Sequence, residues 1–136
     1  MGERKVAILR GFRTNDPVSE TALAEFSGAS KFRLPTDYLD FARTMNGGEG
    51  FVGEMYIRLY KVEELLEMNL GYKFPEFFPG FFLFGSDGGG EAFAFYAFES
   101  NAVYQVPFIG GPEHAIKLAA SFSDWMKQLA NNITQR

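Results

Sequence analysis

The chain has 136 residues, a formal net charge of −4 and no cysteine, and 46% of its residues are apolar, which predicts a single domain with a sizeable core. The absence of cysteine excludes disulfides, thiolate metal sites and cysteine nucleophiles, and the acidic balance disfavours binding to nucleic-acid phosphates. The first ten residues carry too short an apolar run for a signal peptide and no stretch is long enough to span a membrane, so we expect a cytoplasmic protein that binds no membrane.

Two helices are predicted before the first clear strand. Asp16 and Pro17 suit a helix start, as the capping residue and the first helical residue, and an apolar stripe follows at Ala22, Leu23 and Phe26. In the second helix Pro35 suits the first position, and Gly47 can adopt the left-handed conformation that ends a helix. The apolar face of this helix is formed by Tyr38, Phe41, Ala42 and Met45.

Strands are predicted in the middle of the chain. Met55–Leu59 alternates as a half-buried strand does, and a brief helix at residues 62–68 follows. Pro75 and Pro79 exclude a long regular element at residues 70–80, which we interpret as an ordered loop lying over the sheet. Sixteen phenylalanines, many of them in and after this segment, predict an aromatic-rich core.

The second half of the chain continues with strands and ends in a helix. Residues 81–84 form an apolar run typical of a central strand, and residues 92–96 and 103–108 predict two more strands. Ser121 and Asp124 have the spacing of a capping box before a helix with Phe122, Trp125, Met126, Leu129 and Ile133 on one face. We expect Trp125 to lie in the core.

This order of elements predicts the fold class. Helices, then a run of strands, then a helix indicate an α+β domain, in which N-terminal helices and a C-terminal helix flank a central antiparallel or mixed sheet. Residues 1–14 are compatible with either a strand or a helix, and they stay unassigned.

The glycine-rich turn at residues 85–91 has the glycine spacing of a phosphate-binding loop and follows a predicted strand. Such a loop needs a lysine after its last glycine, and this chain has Glu91 there, which reverses the charge. The turn is therefore interpreted as a connection that lets two strands reverse direction.

The candidate metal-binding and catalytic residues also lack the sequence pattern that their chemistry needs. Asp87, Glu91 and Glu49 could supply oxygen ligands, but their spacing is not that of a calcium-binding loop, so they are interpreted as solvated turn carboxylates. His114 is the only histidine, no nucleophile motif accompanies it, and we expect it in a surface loop. The residues predict no enzyme, no cofactor and no metal site.

Four short segments form a more specific pattern. They are Leu34-Pro35 with Asp37-Tyr38 and Phe41, then Asn46-Gly47-Gly48, then Phe84-Gly85-Ser86-Asp87-Gly88-Gly89-Gly90-Glu91, and then Ser121-Phe122-Ser123-Asp124-Trp125. In this order they resemble the SUKH superfamily, whose members include bacterial immunity proteins and the fungal Smi/Knr cell-wall regulators. The resemblance covers about residues 18–133 of a single domain predicted to span residues 1–136.

The resemblance implies that the motif specifies the fold rather than a catalytic site. The motif residues are Leu34, Pro35, Tyr38, Phe41, Gly47, Gly48, Gly85, Gly88, Gly89 and Trp125. Related sequences commonly carry an acidic residue after the glycine turn, as Glu91 is here, and a second one at the end of that strand, where this chain has Tyr96. The family has no established enzymatic activity, so the resemblance implies no catalytic residue.

Two functions follow from the resemblance. The first is an immunity protein that occludes a cognate toxin domain of the nuclease or deaminase class, and we expect the contacts at Asp87, Glu91, Tyr96 and Glu99. The second is an intracellular adaptor of the Smi/Knr type, which would bind a peptide or a regulatory domain through the same sheet and the loop at residues 70–80. A neighbouring gene for a large secreted protein with a variable carboxy-terminal domain would favour immunity.

Overall fold

The described part of the chain contains seven strands and five helices. A computed structural model describes residues 12–134, with side chains through residue 131. The strands are β1 Phe12–Thr14, β2 Gly48–Val52, β3 Met55–Leu59, β4 Phe81–Ser86, β5 Glu91–Tyr96, β6 Ala102–Pro107 and β7 Ile116–Ala119. The helices are α1 Glu20–Ala29, α2 Thr36–Ala42, α3 Val62–Gly71, α4 Phe74–Phe77 and α5 Phe122–Thr134. Short 3₁₀ turns lie at Ala97–Glu99 and Pro112–His114.

The seven strands form one antiparallel sheet whose spatial order is the order of the chain, from β1 to β7. Each described strand therefore pairs with the strand that follows it, and no parallel crossover occurs. This confirms the predicted α+β class and selects the antiparallel alternative. Of the unassigned residues 1–14, only 12–14 belong to β1, and residues 1–11 lie outside the described part.

One face of the sheet carries the aromatic core. Phe84 stacks on Phe95 with ring centroids 4.3 Å apart, and Tyr38 of α2 meets Phe95 edge-on at 5.5 Å. Trp125 of α5 lies 4.9 Å from Phe93 and is 2% exposed, as predicted for a core residue. Because aromatic side chains bury large apolar areas, these rings account for much of the attachment of α2 and α5 to the sheet.

The opposite face is covered in its centre by residues 70–80. Strand alternation places the small residues Ala92 and Ala94 on this face, and both are fully buried. Phe74 and Phe78 are buried and stack on each other at 4.5 Å. The predicted ordered segment over the sheet is therefore confirmed, with the addition of the short helix α4.

Both early helices begin later than predicted. Ser19 caps α1 by accepting a hydrogen bond from the backbone of Ala22, and the cap at Asp16 is wrong. The Asp16 carbonyl accepts a hydrogen bond from Asn46 instead, and the Val18 amide donates to Ala42. These long-range bonds hold residues 15–18 in an extended conformation, so they cannot start a helix.

Pro35 precedes α2 as its N-cap residue rather than occupying the first helical position. The helix also ends at Ala42, before Gly47. Gly47 does adopt a left-handed conformation, with φ +78°, but it turns the chain into β2. A Cβ atom at this position would lie 2.4 Å from the Leu59 carbonyl oxygen, so the close approach of β3 requires glycine.

The later elements agree closely with prediction. The helix predicted at residues 62–68 extends to Gly71, and the strands predicted at 81–84, 92–96 and 103–108 correspond to β4, β5 and β6. Ser121 accepts a hydrogen bond from the Asp124 amide, as expected at the start of α5, whereas the side chain of Ile133 lies outside the described residues. Strand β7 was not predicted.

Strands β3 and β4 diverge after two paired positions, Arg58↔Ser86 and Leu59↔Gly85. Beyond them the buried Asn69 of α3 takes the place of a neighbouring strand. Its side chain donates to the Leu83 carbonyl at 2.9 Å and accepts from the Leu83 amide at 2.8 Å. The backbone of β4 therefore stays paired where the sheet opens.

Candidate functional site

The four residues predicted to contact a partner fall into two pairs at opposite ends of β5. Glu91 begins this strand and Tyr96 ends it, which separates them by roughly 17 Å at about 3.3 Å per residue. Alternation also places their side chains on opposite faces. Asp87 lies with Glu91 at the glycine turn, and Glu99 follows Tyr96, so the four residues do not form one site.

The turn between β4 and β5 is held by its own polar groups. The Asp87 carboxylate accepts hydrogen bonds from the amides of Gly89 at 2.8 Å and Glu91 at 3.2 Å. Gly88 has φ +81°, and a Cβ atom there would lie 2.8 Å from the Tyr56 ring. The glycine is needed for conformation and for close packing, in agreement with the interpretation of this turn as a strand connection.

At the other end of β5 four rings form a cluster, which we call the aromatic patch: Phe81, Tyr96, Phe98 and Tyr104. Phe81 and Tyr96 stack at 4.3 Å, and Tyr104 meets Tyr96 edge-on at 5.3 Å. Phe98 packs edge-on against Tyr96 at 5.5 Å and is 74% exposed. The patch therefore presents a large apolar side chain to solvent on a support of ordered rings.

Glu99 is fixed beside the aromatic patch by two donors, the Tyr104 hydroxyl and the Lys117 ammonium group. The hydrogen bonds from Lys117 and Tyr104 lower the pKa of Glu99, so this carboxylate is charged at neutral pH. The same hydrogen bond to Glu99 raises the pKa of Tyr104 to about 12. The patch thus combines an exposed ring with a carboxylate of fixed position.

The chain between β5 and β6 explains the exposure of Phe98. Ser100 and Asn101 both adopt left-handed conformations, with φ 51° and 61°, and the Asn101 amide donates to the Tyr96 carbonyl. Gly80 also has a positive φ, and a Cβ atom at Gly80 would lie 2.5 Å from the Phe98 ring. A tight turn and a glycine therefore set the position of this ring.

Sequence reasoning missed Phe81, Phe98, Tyr104 and Lys117 as members of this site. The register of β5 and β6 pairs Ala94 with Tyr104, and that of β6 and β7 pairs Tyr104 with Lys117. Residues 102–107 do not alternate, so they gave no local signal for Tyr104. The pairing register assigns Tyr104 to the face of Ala94 and Tyr96. Lys117 had no local signal either, because β7 itself was not predicted.

Glu49 and His114, the other candidate ligand and catalytic residues, do not form a site within the described part of the chain. Glu49 accepts from the Tyr56 hydroxyl and lies 3.9 Å from Arg58, and His114 is exposed at the end of a 3₁₀ turn. Within residues 12–134 no three histidine, aspartate or glutamate side chains come together as metal ligands. The helices in this range include none that is long and apolar enough to cross a membrane.

The fold and the segment order define an α+β protein of the SUKH type. A family model, the SMI1 / KNR4 family (SUKH-1), matches residues 17–128, which include both ends of β5. The chain belongs to this family, and the predicted resemblance is confirmed. A search of curated proteins found no match to the chain.

Proposed function

We propose that the protein is a non-enzymatic binding module of the immunity type, which occludes a cognate toxin domain through the aromatic patch and Glu99. The observation that carries this proposal is the 74% exposure of Phe98 on ordered rings beside a charged carboxylate. Aromatic residues surrounded by less critical contacts supply most of the free energy at many protein interfaces. The family membership supports a role in protein binding.

The packing of the patch favours slow dissociation of a bound partner. Phe98 is supported by Tyr96, and Tyr96 is in turn held between Phe81 and Tyr104. A ring held by its neighbours loses little conformational freedom on binding, so more of the contact free energy remains as affinity. The left-handed turn at Ser100 and Asn101 restrains the backbone next to Phe98.

The charge of the surface favours a basic partner. The chain carries a net charge of −4, and because Lys117 balances the charge of Glu99, the attraction comes from the overall charge of the chain. Acidic groups near an interface increase the rate of encounter with a basic protein and disfavour acidic competitors. A nuclease or deaminase domain that binds nucleic acid would present such a basic surface.

A second candidate function is a regulatory adaptor that binds a peptide through residues 70–80. The observation that favours it is the exposure of apolar side chains at and near this segment, with Leu70 68% and Phe77 54% exposed. Exposed apolar residues in one short segment are typical of interaction surfaces. This function would use the exposed side of residues 70–80 and would not need Phe98.

Affinity capture with matched variants tests the proposal. The tagged protein, a Tyr96→Ala/Phe98→Ala variant and an Asp87→Asn/Glu91→Gln variant would be incubated with native lysate, and captured proteins would be identified and quantified by mass spectrometry. We expect a partner with a toxin-like domain that the first variant loses and the second retains. Purified wild-type protein should then inhibit that domain.

Two outcomes would contradict the proposal. One is undiminished capture by a Tyr96→Ala/Phe98→Ala variant whose circular dichroism and melting curve match those of the wild type. The other is loss of a regulatory partner in a Leu70→Ser/Phe77→Ser variant with no effect of the aromatic-patch substitutions, which would establish the adaptor function instead.

A further inference from the structure

A groove of about 650 Å³ lies between α1 and α2, away from the aromatic patch. One face of each helix lines the groove, so the residues of its walls recur at intervals of three and four along the chain. The wall residues are Glu20, Leu23, Ala24 and Ser27 from α1, Thr36 and Leu39 from α2, and Arg43, which directly follows α2. Residues 30–34, which connect the two helices, also line the groove. Its volume is within the range of about 300–1,000 Å³ that is common for ligand sites.

The floor of the groove is held by packing to the sheet. Phe32 lies parallel to Phe82 of β4 at 4.3 Å, and Phe26 meets the same ring edge-on at 5.9 Å. The Ser30 hydroxyl accepts from the Phe32 amide and donates to the Phe32 carbonyl, both at 3.0 Å. The apolar floor is therefore formed before any ligand arrives.

The two ends of the groove differ in charge. At one end Arg43, the residue after α2, forms a 3.0 Å ion pair with Glu20 of α1 and a 3.8 Å ion pair with Asp40. At the other end Lys31 and Arg33 are exposed, and neither forms an ion pair with a residue in the described part of the chain. In a protein of net charge −4, this end is a local excess of positive charge.

We propose that this groove binds an acidic peptide segment of a partner, with an apolar side chain on the floor and carboxylates at Lys31 and Arg33. Ala24 and Ser27 are small and exposed, so a peptide backbone can approach the α1 wall closely. From Glu20 to Ser27 the groove runs about 10 Å, which suits two turns of a helix. This occupant is opposite in charge to the basic partner proposed for the aromatic patch.

A titration with defined peptides tests this site independently of any toxin. The probe is an amide-capped 12-residue peptide of leucine and glutamate, and its control is the same peptide with lysine in place of glutamate. Backbone amide shifts of the ¹⁵N-labelled full chain would be recorded with each. We expect the acidic probe to shift Ala24, Ser27, Arg33 and Leu39, and the basic probe to leave them unchanged.

Substitutions inside the groove test where the acidic peptide binds, and substitutions outside it serve as controls. Lys31→Glu/Arg33→Glu should weaken the affinity for the acidic probe at least about tenfold, and Lys127→Glu, which removes an exposed cation elsewhere, should not. Ala24→Arg should block the groove, whereas Thr21→Arg, at an exposed position of α1 outside the groove, should not. Circular dichroism would confirm that each variant is folded.

The proposal is overturned by any of three results. These are no shifts with the acidic probe up to millimolar concentration, equal shifts with the basic probe, or unchanged affinity in the folded Lys31→Glu/Arg33→Glu variant. Capture of a toxin through Phe98 would be unaffected by all three, so the two proposals fail separately.

Discussion

Asn46 caps a helix that begins 16 residues further along the chain. Its side-chain oxygen accepts from the Val62 amide at 2.8 Å, and its side-chain nitrogen donates to Glu63 at 2.7 Å. We expect Asn46→Ala to lower the free energy of unfolding by about 2 kcal/mol, because a buried amide would lose its acceptor and α3 its cap. Urea unfolding monitored by circular dichroism measures this loss.

Asn131 provides a matched control for this substitution. It lies exposed on α5, so Asn131→Ala should change the unfolding free energy by less than about 0.5 kcal/mol. An Asn46→Ala variant as stable as Asn131→Ala would show that the hydrogen bonds between Asn46 and α3 contribute nothing to the free energy of unfolding.

The contact between Tyr104 and Glu99 predicts a specific pH dependence. The hydrogen bond to Glu99 raises the pKa of Tyr104 to about 12, whereas an unfolded tyrosine titrates near 10. The folded protein therefore keeps a proton that the unfolded chain loses, and stability falls as pH rises through this window. Glu99→Gln should move the pKa of Tyr104 towards 10, as measured from its ring carbon shifts by NMR.

A titration of Tyr104 that is unchanged in Glu99→Gln would contradict this coupling. Tyr104→Phe identifies the resonance, since only the signal of residue 104 should disappear. Because Tyr104 and Glu99 are both partly exposed to solvent, the effect on overall stability is small, and the main consequence is that the phenol and the carboxylate are held in position.

At the scale of elements, Asn69 joins α3 to the backbone of β4. It donates to the carbonyls of Leu65 and Leu83 and accepts from the Leu83 amide. Asn69→Ala leaves buried backbone groups unpaired, so we expect a loss of about 2–4 kcal/mol in unfolding free energy. The amide of Leu83 should also exchange with solvent much faster. Unchanged exchange at Leu83 would refute this role for the side chain.

The sequence predicted helices and strands well where burial of one face makes apolar residues recur at a regular spacing. Strands β4 and β5 and helix α5 were recognisable because their apolar residues recur at the spacing of a buried strand or an amphipathic helix. The start of α1 was misplaced because Asp16 and Pro17 have good local capping chemistry, yet bonds to residues 42 and 46 hold that segment extended. Such long-range competition is invisible to a local pattern.

Edge strands gave the weakest signal. In β7 apolar and polar residues alternate only over Ile116, Lys117 and Leu118, and Ile116 and Lys117 are both exposed, so burial does not alternate there. The strand exists because β6 offers it backbone partners at Val103, Tyr104 and Gln105. A three-residue strand such as β1 is equally hard to detect, since it depends on pairing with Gly48–Val52.

For the whole molecule, the order of the sheet predicts a gradient of local stability. Strand β5 has neighbours on both sides, and its residues from Ala92 to Phe95 are fully buried. We expect the amides of Phe93 and Phe95 to exchange only on global unfolding, and those of Arg13 and Thr14 in β1 to exchange orders of magnitude faster. Native-state hydrogen exchange followed by NMR tests this, and equal protection in β1 and β5 would contradict it.

The candidate site was only partly predictable because residues that are close in sequence can lie far apart in the fold. Asp87, Glu91, Tyr96 and Glu99 are close in sequence, but a strand carries its two ends far apart, and the fold separates them. The neighbours that complete the aromatic patch, Phe81 and Tyr104, come from adjacent strands. Pairing register, rather than proximity along the chain, decides which residues share a site.

The close approach of Gly80 to Phe98 has a genetic consequence. Gly80 is not part of the proposed contact surface, yet any side chain there would push against the Phe98 ring and strain a left-handed backbone. In a screen for lost partner recognition, we expect alleles at Gly80 that still accumulate as folded protein. Smaller side chains at position 98 should not suppress these alleles, because they would make room for the new Cβ atom but remove the ring that contacts the partner.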